Sequence, residues 1–252
     1  MDGLLITILI VTGFLVYKMI SSSRKQEGYK RWKATGSGDT ANEETAGNKW
    51  KHGAWLRHAL GVTTPKARTY PVFDEEAVVW CAGLLGVEAV RLKEILQDVS
   101  SHYREFWIRK RKGGYRMISA PDKELKSIQD TIYHRILLPV NVHPVATGFR
   151  RQHSIVDNVR PHLGKRCVLK TDIHDFFLSI RSPRVKQTFE NIGYPKNISK
   201  VLGELCCRRR HLPQGASTSP ALSNIIAYEM DRKLAAMAEE FGLAYTRYAD
   251  DL

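Results

Sequence analysis

Two stretches of this chain place aspartates at the ends of short apolar runs. In "VLKTDIHDFFLSI", residues 168–172 read as a short buried strand that ends on Asp172. In "AYTRYADDL", residues 244–249 read as a strand that delivers Asp250 and Asp251. If the two strands are neighbours, three carboxylates converge. They would then repel one another strongly unless cations sat between them, and hard oxygen ligands of this kind suit Mg2+. A fold for this chain has to bring two segments far apart in sequence to one point. Each aspartate taken alone also reads as part of a solvated turn; the conjunction carries the argument.

The surrounding charge has the opposite sign. Lysine and arginine total 39 against 26 acidic residues, a formal net charge of +13 over 252 residues, which points to a phosphate-bearing or otherwise anionic partner. The four cysteines, Cys81, Cys167, Cys206 and Cys207, contain no C-x-x-C pair. They read as small hydrophobes in a reducing compartment.

Residues 3–20, "GLLITILIVTGFLVYKMI", hold one charge, Lys18. As a helix they would extend about 27 Å, close to the thickness of a bilayer core. A core helix and a cleaved signal peptide are the alternatives, but no basic segment precedes the stretch and no A-x-A site follows it. The expectation is a single-pass membrane anchor. The basic residues Arg24, Lys25, Lys30, Arg31 and Lys33 would keep the remainder of the chain in the cytoplasm. Residues 21–49 read as a flexible linker, most clearly in "ATGSGDTANEETAGN". Folded structure is expected over residues 50–252.

Within that region Leu84, Val87, Leu92, Ile95 and Leu96 recur at helical spacing. "YREFWIRKRKGGYRMISAP" then reads as a β-hairpin with a densely basic turn. A helix through Leu125, Ile128, Ile132 and Ile136 follows. A longer one begins with Ser219 as its cap and Pro220 at the first helical position, with Leu222, Ile226, Met230, Leu234 and Met237 on one stripe. Strands and helices do not alternate regularly, so the order is α+β rather than a doubly wound parallel sheet.

At this point the motifs resemble a known family. "YADD" is similar to the Y-x-D-D signature of reverse transcriptases, and "TDIHDFFLSI" is similar to their other metal-bearing motif. "LPQGASTSPALSN", "ATGFRRQHSIVDN", and "GGYRMISAP" with "LKSIQDTIYHRIL" resemble three further blocks, in the family's order. "NVRPH", residues 158–162, resembles the N-A-x-x-H segment of bacterial retron reverse transcriptases, with Val159 in place of the alanine. For Asn158 and His162 a local turn and a surface histidine remain the alternatives. The resemblance implies the fingers and an incomplete palm of a right-hand polymerase. The expectation is a domain without its thumb, preceded by the expected anchor.

The resemblance also implies roles. Asp172, Asp250 and Asp251 would be the catalytic metal ligands, joined by the carbonyl of Ile173, with Mg2+ as cofactor. Phe177 would stand at the steric gate that obstructs a ribose 2′-OH. Gln214 and Gly215 would line the nucleotide pocket, where glycine spares the incoming nucleotide a Cβ. Arg116 and Lys110 would grip the triphosphate, although both also read as solvated turn charges. Arg150, Arg151 and Arg208 to Arg210 suit template backbone, although each alone reads more readily as generic surface charge, and Tyr248 would pack under the metal turn. The implied partners are an RNA template, RNA/DNA duplex, deoxynucleoside triphosphates, the membrane, a retron noncoding RNA and an effector protein, with a link to phage defence. Two rivals stay open: another bacterial reverse transcriptase, of abortive-infection or group II intron type, and an inactive polymerase-like nucleic-acid-binding protein.

Overall fold

The computed structural model of the chain describes residues 72–110 and 113–252. Helix α1 (Glu75–Leu85) begins where the Asp74 carboxylate accepts from the Glu76 N–H at 3.0 Å. It ends at Gly86, which turns the chain at a φ of 70°. The helical pattern read across residues 84–96 is therefore two helices, since α2 (Ala89–Gln97) starts only after that left-handed turn.

A 3-10 turn at Val99–His102 leads into β1 (Tyr103–Arg109), which pairs with β2 (Tyr115–Pro121) as the expected hairpin. Helix α3 (Lys123–Ile132), capped by Asp122 through the Leu125 N–H at 2.8 Å, continues as a π turn at Tyr133–Leu137. Leu125, Ile128, Ile132 and Ile136, the stripe read from the sequence, are all buried. Gln129 on the same helix reaches the Tyr103 hydroxyl at 2.7 Å and the Leu205 carbonyl at 2.8 Å, so a buried amide ties the hairpin to the helical core.

Short helices α4 (Ile155–Val159) and α5 (Phe176–Ser179) flank the aspartate segments. Next come α6 (Ser182–Ile192), α7 (Lys196–Leu205) and the long α8 (Ser219–Glu240). One apolar core runs from α1 through α3, α6 and α7 to the start of α8, with Leu92, Ile128, Phe189, Leu202 and Leu222 fully enclosed.

The chain divides into two compact units. The larger is Val72–Ile108 with Met117–Leu252; of the smaller, residues 109–110 and 113–116 are described. In the latter, the Lys110 N–H donates to the Gly114 carbonyl at 3.0 Å, and Gly113 and Gly114 turn the hairpin at φ 87° and 78°.

Three expectations need correction. The expected fold class set a transmembrane helix before the α+β fingers and palm, but among the described residues no helix is long and apolar enough to cross a membrane. The longest, α8, has 22 residues, enough length to span, but carries Glu229, Asp231, Arg232, Lys233, Glu239 and Glu240. Residues 3–20, on which the anchor rested, lie outside the described residues, and the expected single-pass location in the membrane is withdrawn with the anchor. Second, residues 168–172 and 244–249 meet their neighbours only through isolated bridges. The first segment pairs only where residues 171–173 meet 250–252, and the second at Arg247 against residues 145–147, so Val168 and Leu169 stay 60% and 66% exposed instead of buried. Third, no side chain caps α8, and the serine expected as its cap is the first helical residue.

Candidate active site

Tyr248 and Asp251 exchange both backbone hydrogen bonds, at 2.8 and 3.0 Å, and close a two-residue turn over Ala249 and Asp250. Ala249 sits at a φ of 60°, as the first central residue of such a turn requires. Thr171 and Leu252 exchange a second pair of bonds, at 3.1 and 3.0 Å, and the Ile173 N–H donates to the Asp250 carbonyl at 2.7 Å. Asp172 therefore stands directly opposite Asp251 in an antiparallel bridge, a position in which side chains share a face about 5 Å apart.

The donor chemistry, three carboxylates and a neighbouring carbonyl, is that of a hard divalent cation. The side chains are not gathered into a ligand shell. Asp251 pairs with Lys170 at 3.0 Å, and among the described residues no three His, Cys, Asp or Glu side chains are arranged to hold a metal ion.

The turn is held from behind by Arg247, which is fully buried. Its guanidinium binds both carboxylate oxygens of Asp231 at 2.8 and 2.7 Å, Asn224 Oδ1 at 3.0 Å and the Ala249 carbonyl at 3.0 Å. The Phe176 ring lies 5.7 Å from its centre. The Tyr245 hydroxyl also donates to Asp231, at 3.0 Å, and burial together with that carboxylate pushes its phenol pKa well up.

The amide of Asn224 donates to the Gly148 carbonyl at 2.8 Å, which fixes the loop that crosses the turn. A Cβ at Gly148 would lie 2.6 Å from the Ala249 nitrogen. Gly148→Ala is therefore expected to push the loop off the turn and cost about 1–3 kcal/mol, readable as a lower thermal midpoint. An unchanged midpoint would refute the contact.

Asn158 and His162 are built into the same support. Thr147 Oγ1 donates to Asn158 Oδ1 at 2.9 Å, and Thr246 Oγ1 donates to the Asn158 carbonyl at 3.2 Å. His162 Nε2 meets that Thr246 hydroxyl at 2.7 Å and so takes the donor role. Both residues, half-buried, thus bear on the segment that leads into the aspartates.

Phe177, on α5, is half-buried between the Phe176 ring at 5.4 Å and the Phe149 ring at 5.9 Å. Gln214 accepts the Ser119 N–H at 2.8 Å. At Gly215, with φ 127°, a Cβ would meet the Ile118 side chain and the Ser119 carbonyl, both at 2.9 Å. The glycine thus has a structural reason here, close approach to β2, beside the nucleotide clearance expected from sequence. Arg116, which is exposed, and Lys110 belong to the smaller unit described above.

Arg208, read as a residue for template backbone, has a structural role: it pairs with Glu105, reaches Ser119 Oγ at 3.2 Å and lies over the Tyr103 ring. Arg150 donates to the Ala146 carbonyl at 3.2 Å. Cys81, Cys206 and Cys207 are buried, and burial pushes the Cys81 and Cys206 thiols up to about 12, which suits inert packing residues.

Sequence reading missed Arg247, Asp231 and Asn224. A signal existed: Asn224 and Asp231 are seven residues apart on one helix face, two turns along from each other.

Residues 108–252 match the family model for reverse transcriptase, RNA-dependent DNA polymerase. The chain is 38% identical over 170 residues to the retron Ec86 reverse transcriptase of Escherichia coli, covering 67% of this chain and 52% of that protein. It is 37% identical over 169 residues to the retron Mx65 reverse transcriptase of Myxococcus xanthus, covering 60% and 40%. To the retron Mx162 reverse transcriptase of the same organism it is 31% identical over 252 residues, covering 90% and 51%. The chain belongs to the reverse transcriptase family, as a bacterial retron-type member. It spans about half the length of the curated relatives it matches. Enzymes of this family generally work with divalent metal ions.

Proposed function

We propose that residues 50–252 form a reverse transcriptase domain that carries the reactive centre of an RNA-directed DNA polymerase, with Mg2+ as its metal. The observation that carries this reading is the backbone pairing of residues 171–173 with 250–252, which sets Asp172 opposite Asp251 and beside Asp250. The ions would activate the attacking 3′ oxygen and neutralise the leaving pyrophosphate.

Asp172 and Asp250, with the Ile173 carbonyl, would hold the metal, and Asp251 would assist it. Phe177 would face the sugar, Gln214 and Gly215 the base pair, and Arg116 with Lys110 the triphosphate. Support for retron-type work, copying a structured noncoding RNA from a 2′-OH start, comes from the names of the relatives and from the place of Asn158 and His162 behind the turn. An effector protein and a role in phage defence belong to the same proposal.

The test uses the protein at its natural length with a primed RNA template and deoxynucleotides. DNA extension is expected with Mg2+ and none after chelation. No extension under any divalent metal would favour the rival reading, an inactive nucleic-acid-binding protein. A branched RNA-DNA product from cells that also carry the neighbouring RNA is the outcome expected for the retron type, and an unbranched product would point to another class.

A further inference from the structure

The side chains around the aspartate turn form a closed circuit that ends on a residue with no role so far. Arg247 lies over Phe176, whose ring is 5.4 Å from Phe177, and Phe177 is 5.9 Å from Phe149. Phe149 follows Gly148, whose carbonyl is held by Asn224, and Asn224 accepts from Arg247.

Phe149 holds a φ of 62°, a left-handed conformation unusual for a bulky residue, and remains 45% exposed. A large apolar ring held in a strained backbone conformation and left open to solvent on one side has to be explained by what it touches. Its ring meets that of Phe177, against which it lies tilted by 45°.

We infer that Phe149 is a specificity-determining residue, and that the wall facing the nucleotide sugar is a pair of rings, Phe177 and Phe149. Phe177 packs against Phe176 and the edge of the core, and its ring is also met by Phe149. Phe149 therefore narrows the room in which the Phe177 ring can move. A steric gate works by refusing space to one hydroxyl, so its discrimination depends on how narrowly the ring's position is held. The circuit also fixes Phe149 to the metal turn through Gly148 and Asn224, so gate and aspartates share one frame. This inference rests on the reading of Phe177 as the gate.

The test compares Phe149→Ala, Phe149→Tyr and Phe177→Ala in the protein at its natural length. The readout is the ratio of kcat/KM for a deoxynucleotide to that for the matching ribonucleotide in single-nucleotide addition. An aromatic pair of this kind corresponds to roughly a three- to tenfold effect, and Phe149→Ala is expected to lower the ratio by about that factor. Phe149→Tyr, which keeps the ring, is expected to leave it unchanged. General loss of structure would lower both kcat/KM values together without moving the ratio. Competition of the two nucleotides for equilibrium binding gives the same comparison should Phe149→Ala add nucleotides too slowly.

If Phe177→Ala lowers the ratio and Phe149→Ala does not, the inference is overturned while the gate stands. If neither variant moves the ratio, the gate reading itself fails and takes the inference with it.

Discussion

Replacing Asp250 and Asp251 together by Asn, in the protein at its natural length, is expected to reduce primer extension by about a thousandfold or more. Its thermal midpoint should stay within a few degrees of the parent. The size follows from what the carboxylates would do: metal ions stabilise transition-state charge by several kcal/mol, and each 1.36 kcal/mol is about a factor of ten in rate. The small effect on stability follows from what holds the turn. Its bonds to residues 171–173 run through backbone atoms, which the substitutions leave in place. The Asp251 ion pair with Lys170 has side chains 41% and 68% exposed, and a pair of that kind contributes about 0–1 kcal/mol. Extension within tenfold of the parent would remove the aspartates from the mechanism.

Arg247→Met is expected to destabilise the protein by about 3–5 kcal/mol, because it strands the Asp231 carboxylate in a site from which water is excluded. Both side chains are 0% exposed, and the pair is bidentate. For a domain of this size the loss corresponds to a drop of about 10 °C in thermal midpoint. The double variant Arg247→Met with Asp231→Leu separates two roles. With both charges gone, much of the stability should return, since a buried pair replaced by apolar groups is often close to neutral. Polymerisation should not return, because the Ala249 carbonyl still lacks its donor. A loss below about 1 kcal/mol in the single variant, or full activity in the double, would contradict the assignment.

The readable parts of this chain were those whose signal is local. The stripe of Leu125, Ile128, Ile132 and Ile136 becomes the buried face of α3, since helical period and burial coincide there. The basic Gly-Gly turn closes the hairpin because Gly113 and Gly114 accept positive φ. The aspartates were legible as a group because each follows an apolar run, and the backbone does bring Asp172 opposite Asp251. The stripe read on the long helix α8 holds only at its start. Leu222 is buried and Ile226 packs against the core, but Met237 is 51% exposed, while Ser223, Asn224 and Asp231 are enclosed. Periodicity finds a stripe that faces oil, whereas the enclosed polar residues Asn224 and Asp231 face an arginine, and the value of Asp231 exists only once Arg247 is folded against it. Arg208 misled in the opposite sense: in a basic run it reads as surface charge, but Glu105 on β1 draws it inward.

The reactive turn has little preference of its own for the shape it adopts. Ala249 stands at a backbone angle that glycine would take more readily, and the donor that caps its carbonyl, Arg247, is itself held in place by Asp231 and Asn224 of α8. Stability and catalysis are therefore coupled in one direction here. Loosening the helix that carries Asn224 and Asp231 will misalign the aspartates while most of the core is still folded, so polymerisation should fail at milder heat or lower denaturant than global structure does.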